Sequence, residues 1–133
     1  MSDLRGHGID LVECDRIRLL AERHGDRFLR RVFTDKELAY CLPRRRKWEH
    51  LAGRFAVKEA ILKVLGTGWR DKIAWTDMEI LNDPSGQPRL SLTGETLDIC
   101  RKLGISRIDI SISHTERYAT ASAIGIGETP PAK

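Results

Sequence analysis

The sequence has few of the residues that support disulfide frameworks, base stacking or membrane insertion. Its three cysteines, Cys14, Cys41 and Cys100, are an odd number and form no CxxC pair, which favours reduced thiols in a cytoplasmic protein. Aromatic residues make up 6% of the chain, which disfavours stacking on nucleic acid bases. No apolar run is long enough for a membrane span, and we expect no signal peptide because the first ten residues contain no apolar run.

The amino-acid composition predicts one basic folded domain. The chain has 133 residues, of which 41% are hydrophobic and 32% are charged, as in an ordinary globular protein. Its formal net charge of +4 indicates an acidic partner, such as a phosphorylated metabolite, an acidic protein or nucleic acid. We expect the domain to span residues 1–127, followed by a disordered tail at 128–133, ETPPAK.

Residues 51–68 predict a long helix that carries charges among its apolar faces. They read LAGRFAVKEAILKVLGTG, contain no proline and end in a glycine-rich stop. Apolar residues fall on nearly every side of the helical wheel, which is typical of a buried helix. Arg54, Lys58, Glu59 and Lys63 lie among them. Two interpretations remain open: Glu59 and Lys63 pair on the surface, or the helix lines a charged cleft.

Shorter periodic segments predict strands on both sides of this helix. The strand predictions are Gly6–Val12, Met78–Leu81, Arg89–Leu92, Ile108–Ser113 and Tyr118–Ile126. Asp83-Pro84-Ser85-Gly86 predicts a hairpin turn between the second and the third of them.

Three further helices are predicted from their start and stop signals. Asp15 is expected to cap a helix that ends at Gly25, and Thr93 one that ends at Gly104. Thr34-Asp35-Lys36-Glu37 forms a capping box for a helix that ends before Pro43. The fold class is therefore α+β, with a mainly antiparallel sheet packed against a long central helix and shorter helices in a single domain.

Two acidic residues lie in positions that ordinary folding does not favour. Asp10 lies inside a predicted strand, and Glu59 lies on a helix apolar on nearly all sides. Asp10 could also serve as a local turn cap. Two carboxylates from separate elements are what Mg²⁺ needs when water and substrate phosphates complete its octahedron. With the nearby Arg and Lys residues, they predict a magnesium site for a phosphorylated substrate.

Five motifs in order then resemble the holo-acyl-carrier-protein synthases, the small members of the 4′-phosphopantetheinyl transferase family. They are GIDLVECDRI, FTDKEL, LAGRFAVKEAILKVLGTG, the DMEI strand with its G-x-P hairpin, and SISHT followed by YA. The resemblance runs over about Gly6 to Ile124. It implies transfer of 4′-phosphopantetheine from coenzyme A to a serine of apo acyl carrier protein in fatty acid biosynthesis. It also implies release of adenosine 3′,5′-bisphosphate and a homotrimer with active sites between subunits.

The resemblance also implies roles for individual residues. Asp10 and Glu59 would be the Mg²⁺ ligands, and Lys63 would contact the phosphate under attack or the bound pyrophosphate. The coenzyme A site would contain Arg46, Arg54, Lys58, Gly66, Thr67 and Gly68. Arg16 and the basic face of the first helix would receive the acidic helix of the carrier protein.

The group that takes the serine proton stays open at this point. The candidates are Glu59, a metal-bound hydroxide and His114, and His114 could equally have a structural role at its turn. Two other functions compete with the transferase. A nucleic-acid-binding module would use the Arg44–Lys47 run, but it leaves Asp10 and Glu59 unexplained. A Mg²⁺-dependent nucleotide hydrolase would share the site and need no protein acceptor.

Overall fold

The computed structural model describes residues 2–68 and 72–128. In this part of the chain the strands are β1 Ser2–Glu13, β2 Met78–Asn82, β3 Pro88–Leu92, β4 Arg107–His114 and β5 Tyr118–Glu128. The helices are α1 Cys14–His24, α2 Asp26–Val32, α3 Asp35–Cys41, α4 Lys47–Leu65 and α5 Gly94–Lys102, with a 3₁₀ turn at Trp75–Asp77. The α+β class and the antiparallel pairing are confirmed.

Helix α4 lies in the centre of the core. Every residue from Leu51 to Lys58 is buried, because α4 packs against β1 and β5 on one side and against α1 and α3 on others. The prediction of a helix buried on nearly all sides is therefore confirmed. The helix begins at Lys47, one turn earlier than predicted, and ends at Leu65. The C-cap residue Gly66 adopts a left-handed conformation with φ of 69°.

The main sheet has the order β1-β5-β4, and both pairs are antiparallel. Its inner face carries very small residues, among them Gly8, Ala121 and Ala123, so α4 can approach closely. A Cβ atom at Gly8 would lie 2.0 Å from the carbonyl oxygen of Ala60. Asp10 lies two residues after Gly8, and Glu59 precedes Ala60, so both acidic residues lie close to this crossing of β1 and α4.

The predicted hairpin between β2 and β3 is confirmed. The Asp83 carboxylate accepts hydrogen bonds from the backbone N–H groups of Ser85 and Gln87 at 2.9 and 3.0 Å. Gly86 supplies the positive φ of 90° that the turn requires. The strands Met78–Asn82 and Pro88–Leu92 match the prediction within one residue at each end.

The helix caps differ in part from the predictions. The capping box of Thr34 and Glu37 is confirmed. Asp15 lies in the first turn of α1 and is not its N-cap, since the helix already begins at Cys14. Thr93 is the N-cap residue of α5, but its side chain makes no cap hydrogen bond.

The hydrogen-bond acceptor at the N-terminus of α5 comes instead from the 3₁₀ turn. The Asp77 carboxylate accepts a hydrogen bond from the N–H of Thr96 at 3.4 Å and another from the Thr96 hydroxyl at 3.1 Å.

Helix α2 was not predicted. Glu128, the first residue of the predicted tail, is the last residue of β5, and residues 129–133 lie outside the described residues. Among residues 2–68 and 72–128, no helix is long and apolar enough to cross a membrane.

Candidate active site

Asp10 and Lys63 meet where α4 crosses β1. Asp10 lies on the inner face of β1, and its side chain is 18% exposed. The Nζ atom of Lys63 donates to the carbonyl oxygen of Ile9 at 2.7 Å and to Oδ1 of Asp10 at 3.2 Å. The lysine thus pairs with the strand across the crossing instead of with Glu59, which lies four residues earlier on its own helix.

Glu59 belongs to the same electrostatic cluster. Burial raises the pKa of the Glu59 carboxyl above its ordinary value, and the negative charge of Asp10 raises it further, while Arg16 and Lys63 oppose the shift. Arg16 reaches this cluster from α1, where its guanidinium lies 5.5 Å from the ring centroid of Phe55. Two acids and two bases from β1, α1 and α4 therefore influence one another. We call Asp10, Arg16, Glu59 and Lys63 the carboxylate cluster.

Asp10 and Glu59 of the carboxylate cluster are the candidate residues for binding Mg²⁺. Among the described residues, no group of three or more His, Cys, Asp or Glu side chains could hold a metal ion by itself. Mg²⁺ is usually bound through one or two carboxylates, with water and substrate phosphates in the other positions. Asp10 and Glu59 are two such carboxylates, and the repulsion that raises the pKa of Glu59 would be relieved by a divalent cation.

A pocket of about 410 Å³ opens beside Glu59 and Lys63. Its walls include Leu62, Trp75 and the glycine-rich stretch after α4, of which Gly66 and Gly68 line the pocket. Both glycines have positive φ, at 69° and 58°. Thr67, between them, donates from its hydroxyl to the carbonyl oxygen of Gly68 at 2.9 Å.

A second group of charged residues lies at the other end of α4. Nδ1 of His114 lies 2.8 Å from Oε1 of Glu49, and Nε of Arg46 lies 3.8 Å from Oε2 of the same carboxylate. A pocket of about 570 Å³ borders this group. Glu49 precedes Glu59 by ten residues, about 15 Å along a helix. His114 and Arg46 are therefore not brought together with the carboxylate cluster.

Lys58 lies inside the protein with its own partners. Its side chain is fully buried, and Nζ donates to Oε1 of Glu37 at 2.7 Å and to the carbonyl oxygen of Val32 at 2.6 Å. Burial lowers the pKa of Lys58, and the Glu37 carboxylate opposes that shift. Glu37 also accepts from the backbone N–H of Ile80 at 3.0 Å. These contacts tie α2, α3, α4 and β2 together and turn Lys58 away from both pockets.

Arg54 combines internal contacts with access to a pocket. It is 2% exposed, and it donates from Nε to the carbonyl oxygen of Ile80 at 2.9 Å and from a terminal nitrogen to Oδ1 of Asn82 at 2.7 Å. It also lines a small pocket of about 150 Å³ that His50 and His114 border. Its guanidinium can thus contribute positive charge to that pocket while it holds β2 against α4.

Comparison with known proteins identifies the family. Residues 6–123 match the family model of the 4′-phosphopantetheinyl transferase superfamily. The chain belongs to this superfamily. Among its relatives, the holo-[acyl-carrier-protein] synthase of Koribacter versatilis is 44% identical over 119 residues, which cover 90% of this chain and 95% of that protein.

Solved structures of the same branch of the transferase superfamily share the fold. The crystal structure of the holo-ACP-synthase from Plasmodium yoelii has a TM-score of 0.83 and 29% identity, and the match covers 97% of this chain and 99% of that one. The Helicobacter pylori holo-[acyl-carrier-protein] synthase in complex with coenzyme A has a TM-score of 0.78 and 31% identity, with coverage of 90% and 98%. The predicted resemblance is confirmed, and this transferase is grouped with the holo-acyl-carrier-protein synthases.

The contacts of two acidic residues of this transferase were not predicted from the sequence. Glu37 was predicted only as part of a capping box, although it also neutralises Lys58. Glu49 was not singled out. The one signal in the sequence was its position just after a basic run and three residues after Arg46. An isolated acidic residue there lies close to several cations. The ligand and catalytic roles expected for the individual site residues stay predictions.

Proposed function

We propose that this enzyme transfers 4′-phosphopantetheine from coenzyme A to a serine of an apo acyl carrier protein, and that it needs Mg²⁺ to do so. The observation that carries the proposal is the carboxylate cluster, which combines two half-buried acids from separate elements with two cations. The relatives support it, since they are named as holo-[acyl-carrier-protein] synthases and one structure contains coenzyme A.

Asp10 and Glu59 would hold the Mg²⁺ ion, and Lys63 would contact the diphosphate of coenzyme A. Bound there, the ion would offset the negative charge of the diphosphate. The side chain of Lys63 is 53% exposed and its ammonium group donates to Asp10, so it could contact a phosphate that enters beside Asp10. Its positive charge would stabilise the charge that develops on the leaving nucleotide.

At the phosphorus, the reaction forms one bond and breaks one, and the serine hydroxyl loses its proton. The serine oxygen bonds to the phosphorus that carries the pantetheine arm, the bond from that phosphorus to the bridging oxygen breaks, and adenosine 3′,5′-bisphosphate leaves with the electron pair. The serine proton needs an acceptor near this phosphorus. Of the protein groups considered, Glu59 lies in the carboxylate cluster, whereas His114 contacts Glu49 near the opposite end of α4. We therefore favour Glu59 over His114 as the protein group that takes the proton.

The carrier protein would dock on the basic face of α1, with Arg16 as its main contact. Arg16 and Arg23 border an open pocket of about 480 Å³ whose walls include Leu11, Leu19 and Leu20. Leu19 is 55% exposed. Glu13 and Asp15 also line this pocket, so the two arginines beside the leucines are the part of the surface that would attract an acidic amphipathic helix. Because Arg16 also belongs to the carboxylate cluster, a carrier bound there would lie close to the site of transfer.

The outer face of the main sheet supports the proposed homotrimer. Leu4 and Ile9 of β1 are 66% and 59% exposed. Exposed apolar side chains grouped on one strand are typical of a surface that another protein covers, and we propose that it is covered by further copies of this chain. The three cysteines are free and buried, which supports the proposed cytoplasmic location. We also propose a role in fatty acid biosynthesis, as the family resemblance implies.

The proposed reaction can be tested by incubating the enzyme with coenzyme A, Mg²⁺ and an apo acyl carrier protein and measuring the mass of the carrier. We expect the mass to rise by one phosphopantetheine group and expect no rise when Mg²⁺ is removed with a chelator. A carrier of unchanged mass would contradict the transferase proposal. Cleavage of coenzyme A without modification of the carrier would instead support the nucleotide hydrolase.

A further inference from the structure

The guanidinium of Arg16 is held by an aromatic ring. It lies 5.5 Å from the ring centroid of Phe55, within the distance at which a cation and an aromatic face attract each other. In the described part of the chain, Arg16 forms no hydrogen bond and no ion pair. Arg18, two residues later, instead pairs with Asp15 at 3.3 Å and with Glu22 at 2.9 Å. The position of the Arg16 guanidinium therefore depends on Phe55.

Contact with a ring leaves the hydrogen-bonding groups of an arginine free. A guanidinium has five N–H donors, and it attracts an aromatic ring through its charge and its flat face and not through those donors. Arg16 is exposed, so its donors can bind a carboxylate of another molecule. A side chain that is already held in place also loses less conformational freedom when it binds.

The ring of Phe55 is itself fixed. Phe55 is 5% exposed, and the indole of Trp75 stacks on it, with ring centroids 5.3 Å apart and an angle of 28° between the planes. Trp75 begins the 3₁₀ turn. The Asp77 carboxylate, which also caps α5, accepts a hydrogen bond from the backbone N–H of Ala74 at 3.2 Å and so holds this turn together. The ring that contacts Arg16 can therefore move little.

Acidic residues of the same chain would compete for a mobile Arg16. Glu13 and Asp15 line the same pocket as Arg16, and a guanidinium without its ring could pair with either of them. Such a pair would use the donors that a docking carboxylate needs. The contact with Phe55 thus keeps the positive charge available to a partner.

On the basis of the proposed transfer reaction, we propose that Phe55 and Trp75 are positioning residues for binding of the acyl carrier protein. The ring of Phe55 holds the guanidinium of Arg16 at the docking face of α1, with its N–H groups free for an acidic residue of the carrier. Trp75 keeps that ring in place. Phe55 acts through Arg16 and does not itself touch the carrier.

The first test is a double-mutant cycle on the KM for the carrier. We expect Phe55→Leu to raise this KM about two- to fivefold, the usual strength of such a contact at an exposed site, and to leave the KM for coenzyme A nearly unchanged. In an Arg16→Ala background, Phe55→Leu should cause no further rise, because the residue through which it acts is gone. An equal rise in both backgrounds, or no rise in the wild-type background, would overturn the positioning role.

Phe33→Leu is the matched control for lost packing. Phe33 is 1% exposed, and its ring centroid lies 5.3 Å from Nζ of Lys58, so this substitution also removes a buried ring beside a cation. The cation here is itself fully buried and cannot meet a carrier. We expect both variants to lower the midpoint of urea unfolding but only Phe55→Leu to raise the KM for the carrier. A similar rise in Phe33→Leu would mean that lost packing explains the effect and would overturn the proposal.

NMR relaxation of the arginine Nε–H groups tests the contact without carrier or coenzyme A. We expect Nε of Arg16 to be more ordered on the ps–ns timescale than Nε of Arg23, and to lose that order in Phe55→Leu and in Trp75→Leu but not in Phe33→Leu. Trp75 is half-buried, so Trp75→Leu decides the question if Phe55→Leu does not fold. A wild-type Arg16 as mobile as Arg23 would overturn the positioning role alone. A wild-type enzyme with an ordered Arg16 that leaves the carrier unmodified would instead overturn the proposed function, and the docking role with it.

Discussion

Gly8→Ala tests whether the crossing of β1 and α4 sets the geometry of the carboxylate cluster. The added Cβ would lie 2.0 Å from the carbonyl oxygen of Ala60, whereas real Cβ atoms essentially never approach other heavy atoms closer than 3.0 Å. The obstacle is helix backbone, which cannot rotate away as a side chain would. The helix must therefore move off the strand by about 1 Å, and the distance between Asp10 and Glu59 changes with it.

The expected losses follow from that displacement. Overpacking of this size costs roughly 1–3 kcal/mol in the free energy of unfolding. A displacement of about 1 Å at reacting groups can lower the rate about 100-fold. We therefore expect a moderate loss of stability together with a much larger loss of kcat, which urea denaturation and the carrier mass assay measure separately.

Gly25→Ala is the matched control for this experiment. Gly25 also requires glycine, because its φ is 58°, but an added Cβ there would meet no atom within 4 Å. We expect a loss of about 1–3 kcal/mol, because φ of 58° with ψ of −140° is a backbone conformation that only glycine adopts readily, and a kcat close to that of the wild type. If Gly8→Ala lost stability but kept wild-type kcat, the close crossing would not set the site geometry.

Three further predictions concern other parts of the molecule. Lys58→Met should cost about 3–5 kcal/mol in urea unfolding because it leaves the Glu37 carboxylate buried without a cation, and Lys58→Met/Glu37→Gln should cost less; an equal or greater cost for the double variant would contradict this. Burial raises the pKa of the Cys41 thiol from 9.0 to about 11, so the folded state keeps the proton longer. The stabilisation by the protonated Cys41 thiol is fully present below pH 9 and is lost as pH rises to about 11. The free energy of unfolding should thus fall less over that range in Cys41→Ala, and identical pH slopes would argue against it. Arg16→Glu should raise the KM for the carrier at least about tenfold and leave the KM for coenzyme A nearly unchanged. Arg18→Glu, whose arginine already pairs with Asp15 and Glu22, should change the KM for the carrier much less, and equal effects would place the docking face elsewhere.

The elements that could be predicted from the sequence are those with local causes. The capping box of Thr34 and Glu37, the Asp83 hairpin turn and the glycine stop of α4 each depend on residues a few positions apart. Their signals are therefore complete within a short segment. The motif order was also sufficient to identify the family, because it requires no knowledge of which side chains touch.

The contacts that could not be predicted depend on which side of α4 each charge faces. A helix that is apolar on nearly all sides gives no direction for its polar residues, so Lys58 and Lys63 look alike in the sequence. Lys58 turns inward to Glu37, and Lys63 turns to Asp10. Glu37 could not be recognised as the partner of Lys58, because its role in the capping box already accounts for a glutamate at that position. The capping of α5 by Asp77 could not be predicted either, because Asp77 lies 19 residues before Thr96, whose hydroxyl donates to it.

The most direct test of the proposed mechanism is the affinity of the enzyme for a divalent cation in the presence of coenzyme A. Mn²⁺ can replace Mg²⁺ at oxygen ligands, and its binding can be followed by electron paramagnetic resonance. If Asp10 and Glu59 hold one ion together, Asp10→Asn and Glu59→Gln should each weaken Mn²⁺ binding at least about tenfold, and the double variant should bind little more weakly than either. Wild-type affinity in either single variant would contradict the claim that these two carboxylates share a metal ion.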